Sequence, residues 1–336
     1  MGNTQNNIAE LEERFREPEG WRWHSFVHNG HRLRFGSAFP KDSIPDAVVV
    51  CLPGLSEFGE KYFETARYCL DKNLAFWILD WRGQGGSDRY FKNSQKRHST
   101  GFQNDVEDLH AFIMGYIKHS SVHPDKGRIP LAMLAHSMGA NIGLHYIKQH
   151  PEVFECAAFS APLFGMKACE KMPKRLPLPL SFILQLFMPY NYAPGEKNWN
   201  PSTRPCDGSD AMSSDPVRVD IHRKWFEADP SLQVGGVTYG WVYQAVKSSA
   251  YLANKLFAKG IHTPCLIALA GRETLVNNTK TRHVARNLPH CELLEFEDAK
   301  HEILMEKDEF RNAYLEKFYG LIKENIIDRP ESLKPF

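Results

Sequence analysis

Ser137 lies in the run Ala135-His136-Ser137-Met138-Gly139. The apolar segment PLAMLA leads into it, and the helical pattern MGANIGLHYIKQH leads away. Strand, tight turn, serine, helix is the setting of a nucleophile elbow. The turn forces the serine backbone into a strained conformation and lifts its hydroxyl above the sheet edge. Ala135 stands where a glycine is usual, the smallest available replacement. Short Ser/Gly patterns also arise by chance; the strand before and the helix after are what point to acyl-transfer chemistry. A serine at a helix start leaves the next backbone N–H, that of Met138, free to face a developing oxyanion. A second donor is expected from the turn Pro53-Gly54-Leu55-Ser56-Glu57, with Gly54 allowing close approach and the Leu55 N–H aimed at the site.

These turns need a scaffold. The segments AVVVCL (47–52), LAFWILD (74–80), PLAMLA (130–135), ECAAFS (155–160), PCLIALA (264–270) and CELLEFE (291–297) are short, nearly continuous apolar runs. Runs of this kind are expected of strands buried on both faces. Ahead of them, WRWHSFVHNGHRLRFGSAF alternates around Asn29-Gly30, which predicts a hairpin with a tight primed turn. Helical patterns separate the later runs: GEKYFETARYCLDKN with Phe63, Ala66 and Leu70 on one face, FQNDVEDLHAFIMGYIK with Val106, Leu109, Ile113 and Ile117 aligned, TKTRHVARNL, and FRNAYLEKFYGLIKENI at the end. Alternating strand and helix predicts an α/β protein with a mostly parallel sheet flanked by helices. From about 164 to 248 the strand rhythm stops. This stretch reads as a helical cap inserted after the sixth strand, dividing one core into residues 1–163 and 249–336.

Composition narrows the function classes. Lys and Arg number 41 against 40 Asp and Glu, a net charge of +1, which argues against nucleic-acid binding. No apolar stretch approaches the roughly 20 residues of a spanning helix. The first twenty residues lack the apolar core of a secretory signal, and a cytoplasmic protein is expected. Met1-Gly2 invites a myristoylation reading, but position 6 is Asn6 where Ser or Thr is required. Seven cysteines, odd in number and without a CxxC pair, read as buried reduced thiols. Gly83, Gly85 and Gly86 do not have dinucleotide-loop spacing, His301-Glu302 is not part of a zinc motif, and His119 and His123 read as solvated. No metal or organic cofactor is expected.

Four pieces in order, LPGLSEFGEKY, DWRGQGGSDR (80–89), LAHSMGA (134–140) and AKHEILME (299–306), resemble the α/β-hydrolase superfamily, in the branch of bacterial lysophospholipases and monoacylglycerol lipase. The cap pieces SSDPVR and GGVTYGWV are similar to the bacterial members. The resemblance implies a serine nucleophile, an acid and a histidine in that chain order. His301 follows the last expected strand, precedes the final helix, and matches the histidine loop of the superfamily. Glu273 is the only acid between Pro264 and Cys291, although the superfamily usually has Asp there; Asp298 is the reserve. DWRGQGGS is implied to be a structural turn, with no catalytic role for Arg82 or Gln84.

The implied activity is a serine carboxylester hydrolase acting on a lysophospholipid or monoacylglycerol through an acyl-enzyme on Ser137. The alternatives are a small-ester esterase or peptidase on the same residues, or a non-catalytic interaction protein of this fold. The cap segment LPLPLSFILQLFM, preceded by Lys171, Lys174 and Arg175, is either internal packing or an apolar lip that meets a membrane surface. Phe182, Leu186 and Trp241 are the candidate acyl-binding residues, with Trp225, Tyr239 and Tyr243 as further aromatics that could line a tunnel.

Overall fold

The computed structural model describes residues 11–123, 127–207 and 209–329; the Met1-Gly2 and Asn6 reading lies outside them. The expected runs form strands of one eight-stranded sheet: β1 (Arg22–His28), β2 (His31–Ala38), β3 (Ala47–Leu52), β4 (Leu74–Leu79), β5 (Leu131–His136), β6 (Phe154–Ser160), β7 (Cys265–Ala270) and β8 (Cys291–Phe296). Their spatial order is β1-β2-β4-β3-β5-β6-β7-β8. β1 and β2 pair antiparallel around Asn29 and Gly30, both at positive φ, and β2 pairs antiparallel with β4. From β4 through to β8 every pairing is parallel.

Strand alternation explains why the central runs are apolar throughout. Val48, Val50 and Leu52 enter one core, while Val49 and Cys51 enter the other on the opposite face. Helices Phe102–Phe112 and Ser137–Gln149 cover the first face through Val106, Leu109, Ile142 and Tyr146. Phe63–Asp71 and Asp308–Ile322 cover the second through Phe63, Ala66, Leu315 and Phe318. The run at 291–297 departs from the expectation of double burial. β8 is the edge strand, paired on one side only, and its residues are half-buried or exposed.

Between β6 and β7 the chain carries the helices Pro177–Phe187, Pro216–Ala228, Tyr239–Leu252 and Lys255–Lys259. Helix Tyr239–Leu252 runs across residue 248, where the change in texture placed the far edge of the cap. Among the described residues no helix is long and apolar enough to cross a membrane. Cys51, Cys69, Cys156 and Cys265 are buried as expected, whereas Cys169, Cys206 and Cys291 are only half-buried because they lie on the inserted segment and the sheet edge.

Candidate active site

Ser137 opens its helix at φ +47°, directly after β5. A non-glycine residue held there costs about 1–3 kcal/mol, so the surrounding packing must hold the turn in place. That packing is visible on both sides. A Cβ added to Gly139 would lie 2.2 Å from the Leu52 carbonyl oxygen and 2.5 Å from that of Pro53, so the helix start rests on the end of β3. A Cβ on Gly54 would come within 2.8 Å of the His136 ring and 3.2 Å of Ser137 Cβ. The elbow and the Gly54 turn are therefore in backbone-close contact, and the expected need for small residues is met at these two positions.

His301 and Glu273 reach Ser137 from the loops after β8 and β7. His301 Nε2 is 3.0 Å from Ser137 Oγ, and His301 Nδ1 is 2.7 Å from Glu273 Oε2. The other Glu273 oxygen accepts the Leu275 N–H at 2.7 Å and the Val276 N–H at 3.2 Å. All three side chains are buried. Burial pushes the Glu273 carboxyl up, but the His301 charge and these hydrogen bonds outweigh it and hold the group below the usual carboxylate range. Burial pushes His301 down, and the negative charges of Glu273, Glu302 and Glu57 outweigh it, so the imidazole is raised above its ordinary value. His136, whose ring centroid is 4.8 Å from that of His301, is pushed down to about 4 by burial and stays neutral. The reserve Asp298 is exposed, with its carboxylate 3.8 Å from Arg272. Glu273 thus takes the position beside the histidine, although it is one methylene longer than aspartate.

Met138 is the second residue of its helix, where an N–H has no carbonyl one turn back to bond. Leu55 lines the same cavity as Ser137. The Leu55 turn is held by side chains of DWRGQGGS, for which the resemblance implied a structural and not a catalytic part. Gln84 Nε2 donates to the carbonyls of Gly54 and Glu57 at 2.7 and 2.8 Å, and Gln84 Oε1 accepts the Ser56 N–H at 3.1 Å. Trp81 Nε1 donates to the Pro53 carbonyl at 2.7 Å. The DWRGQGGS turn therefore braces the Leu55 loop through Trp81 and Gln84. Arg82 points elsewhere, to Asp108 at 2.7 and 3.1 Å.

The serine opens into a cavity of about 410 Å³, lined by Leu163, Met166, Val237, Trp241 and Val276 among others. Its charged lining residues are Glu57, Glu196, Lys197, Arg204 and Glu302, and a chain of ion pairs through Lys61 and Asp210 stands behind three of them. Lys61 bridges Glu57 and Glu302, each at 2.7 Å, and Arg204 bridges Glu302 at 2.9 Å and Asp210 at 3.3 Å. Burial raises both Glu302 and Glu57, but Arg204 and Lys61 outweigh it and keep them ionised. These residues come from distant parts of the chain, and only the glutamate directly after His301 could have been suspected from sequence.

Of the three candidate acyl-binding residues, Trp241 lines the cavity. Phe182 and Leu186 do not; they lie exposed on helix Pro177–Phe187, with Phe182 against Tyr243 at 5.6 Å between ring centroids. Trp225 packs against Phe63 rather than lining the cavity. Among the described residues no cluster of three His, Cys, Asp or Glu side chains could hold a metal ion.

The family model described as serine aminopeptidase, S33, matches residues 43–308, a span that includes the elbow, both loops and the inserted segment. The chain belongs to the serine aminopeptidase S33 family. This is a family of α/β-hydrolases, and its relatives agree with that placement. Lysophospholipase L2 of Escherichia coli K12 is 29% identical over 295 residues, covering 80% of this chain and 78% of that protein. Human monoglyceride lipase is 25% identical over 194 residues, covering 57% of this chain and 54% of its own length. Among solved structures, a soluble variant of Saccharomyces cerevisiae monoglyceride lipase superposes with a TM-score of 0.69 at 17% identity, over 91% of this chain and 96% of that one. The family and these relatives make the protein an ester hydrolase.

Proposed function

We propose that the protein is a serine carboxylester hydrolase that removes one acyl chain from a lysophospholipid or monoacylglycerol. The observation that carries this reading is His301, standing between Ser137 and Glu273 at hydrogen-bond distance from both, on the wall of an apolar-lined cavity. His301 Nε2 takes the Ser137 proton as Oγ attacks the ester carbonyl. The Leu55 and Met138 N–H groups hold the oxyanion. Glu273 fixes the tautomer in which Nδ1 carries the proton and Nε2 accepts, and it stabilises the imidazolium. His301 then protonates the departing glycerol oxygen. Water, deprotonated by the same histidine, attacks the acyl-enzyme and releases the fatty acid.

The cavity wall favours an ester over a peptide amino terminus. Of the three lining carboxylates, Glu57 and Glu302 are already neutralised by Lys61 and Arg204, while Glu196 accepts the Val237 N–H at 3.2 Å and burial raises it above the usual carboxylate range, which disfavours the charge a substrate ammonium would need. The same balance suits a headgroup without net charge. Helix Pro177–Phe187 exposes Leu178, Phe182, Ile183, Leu186 and Phe187 beside Lys171, Lys174 and Arg175, which supports transient contact with a membrane surface from which the acyl chain enters.

The test is fatty-acid release from lysophosphatidylcholine and monoacylglycerol of matched chain length, with Ser137→Ala as control. Release lost in the variant supports the reading. Cleavage of short esters alone keeps the serine mechanism and removes the lipid assignment. A folded protein whose Ser137 is not labelled by a fluorophosphonate would sink both.

A further inference from the structure

Arg97 is fully buried and, among the described residues, takes part in no ion pair. A guanidinium in that position is unusual, because an unpaired buried charge is expensive unless its donors are satisfied. Tyr90 hydrogen-bonds the guanidinium and the buried Asp105 attracts it from beyond ion-pair distance, and its other donors reach groups around the oxyanion site. Arg97 Nε donates to Gln84 Oε1 at 3.0 Å, the same oxygen that accepts the Ser56 N–H. Nη2 reaches Met138 Sδ at 3.7 Å, and Nη1 bonds the His98 carbonyl. The Arg97 backbone is tied to the inserted segment: its N–H donates to Gly236 at 3.1 Å and its carbonyl accepts from Thr238 at 2.9 Å, on either side of the cavity-lining Val237. A Cβ at Gly83 would come within 3.0 Å of the guanidinium, so the DWRGQGGS turn is closed down on it.

We propose that Arg97 is a positioning residue for the oxyanion hole: through Gln84 and Met138 it holds the Leu55 turn and the Met138 helix start in register with each other and with the cavity wall. The proposal rests on the reading that Leu55 and Met138 are the oxyanion donors. Two donors on separate loops stabilise a tetrahedral intermediate only if both lie within a few tenths of an ångström of the position the oxygen will occupy. Arg97 is the side chain that touches the support of both. Its planar fork spreads over Gln84, Met138 and His98 at once, which a lysine ammonium on a flexible stem cannot reproduce. The polar segment KRHST gave no hint of this, because the partners lie 13 and 41 residues away.

The experiment uses Arg97→Lys, Arg97→Met and Gln84→Leu in the full chain, with a soluble short-chain ester. It reads kcat, KM, thermal midpoint, and affinity for a boronic acid that mimics the tetrahedral intermediate. The expected result is a kcat loss of about 10- to 100-fold with KM changed by less than about threefold. Boronate affinity should fall in step with kcat/KM. Arg97→Lys is the variant most able to fold, since it keeps a buried cation, and it should still lose about tenfold. A folded Arg97→Lys or Gln84→Leu with kcat within about twofold of the parent would overturn the proposal, as would a kcat loss with unchanged boronate affinity. Ser137→Ala is run alongside. Ester cleavage that survives it means that the underlying mechanism, not the role of Arg97, has failed.

Discussion

His301 Nδ1 lies 2.7 Å from Glu273 Oε2, and the second oxygen of that carboxylate is held by two backbone N–H groups of its own loop. The acid is therefore anchored before it orients the histidine. Replacing Glu273 by Gln removes the charge and allows the wrong ring nitrogen to carry the proton. We expect kcat to fall about 10³-fold or more while KM changes little, measured on a soluble ester. A loss of less than tenfold would mean that Glu273 is not the orienting acid.

The pH profile follows from the same pair. His301 must be neutral to accept the Ser137 proton, and its surroundings raise its pKa above the ordinary 6.5. The acid limb of kcat/KM should therefore have its midpoint above 6.5, with activity rising as pH increases through it. In Glu273→Gln the raising charge is gone, and the limb should move to lower pH. An acid limb in the parent enzyme below 6.5 would contradict the arrangement.

The ion-paired wall predicts headgroup preference. Carboxylates outnumber cations in the cavity lining, Glu57, Glu196 and Glu302 against Lys197 and Arg204, and Arg204 is already held by Glu302 and Asp210. At equal chain length, kcat/KM for monoacylglycerol or zwitterionic lysophosphatidylcholine should exceed that for lysophosphatidic acid by about tenfold, or ~1.4 kcal/mol. Fatty-acid release from the three lipids decides the order. Fastest cleavage of lysophosphatidic acid would show that a cation in the wall is available after all.

Helix Pro177–Phe187 separates surface contact from chemistry. Phe182, Leu186 and Phe187 are exposed and line no part of the cavity at Ser137. Changing all three to Ser should weaken binding to phospholipid vesicles by about tenfold while hydrolysis of a soluble ester stays within about twofold. Equal loss of both would place these side chains inside the substrate path instead.

Gly139 tests the elbow packing. A methyl group there meets the backbone oxygens of Leu52 and Pro53, neither of which can swing aside like a side chain. Gly139→Ala should destabilise the fold by about 1–3 kcal/mol, read by denaturant unfolding, and lower kcat by disturbing Ser137. A neutral substitution would mean that β3 and the helix start tolerate separation.

The local sequence determined the sheet strands, the Asn29-Gly30 hairpin, the sharp turn at Ser137 and the loops that carry Glu273 and His301. Those features depend on short-range causes: buried runs, turn residues and the steric demand of one strained serine. The edge character of β8 was hidden, since its apolar content reads the same whether one neighbour or two pair with it. The place of Phe182 and Leu186 was equally hidden, because an apolar helix shows its composition and not which side faces solvent. Tertiary structure alone decided the parts made by distant contacts. Lys61, Arg204 and Glu302 become one ion-paired chain only after the segment between β6 and β7 folds back over the core, and Gln84 and Arg97 meet Ser56 and Met138 only because loops after β3, β4 and β5 converge there. Each of these residues sits in an ordinary polar stretch, and its meaning comes from low-dielectric burial beside partners that the chain brings from far away.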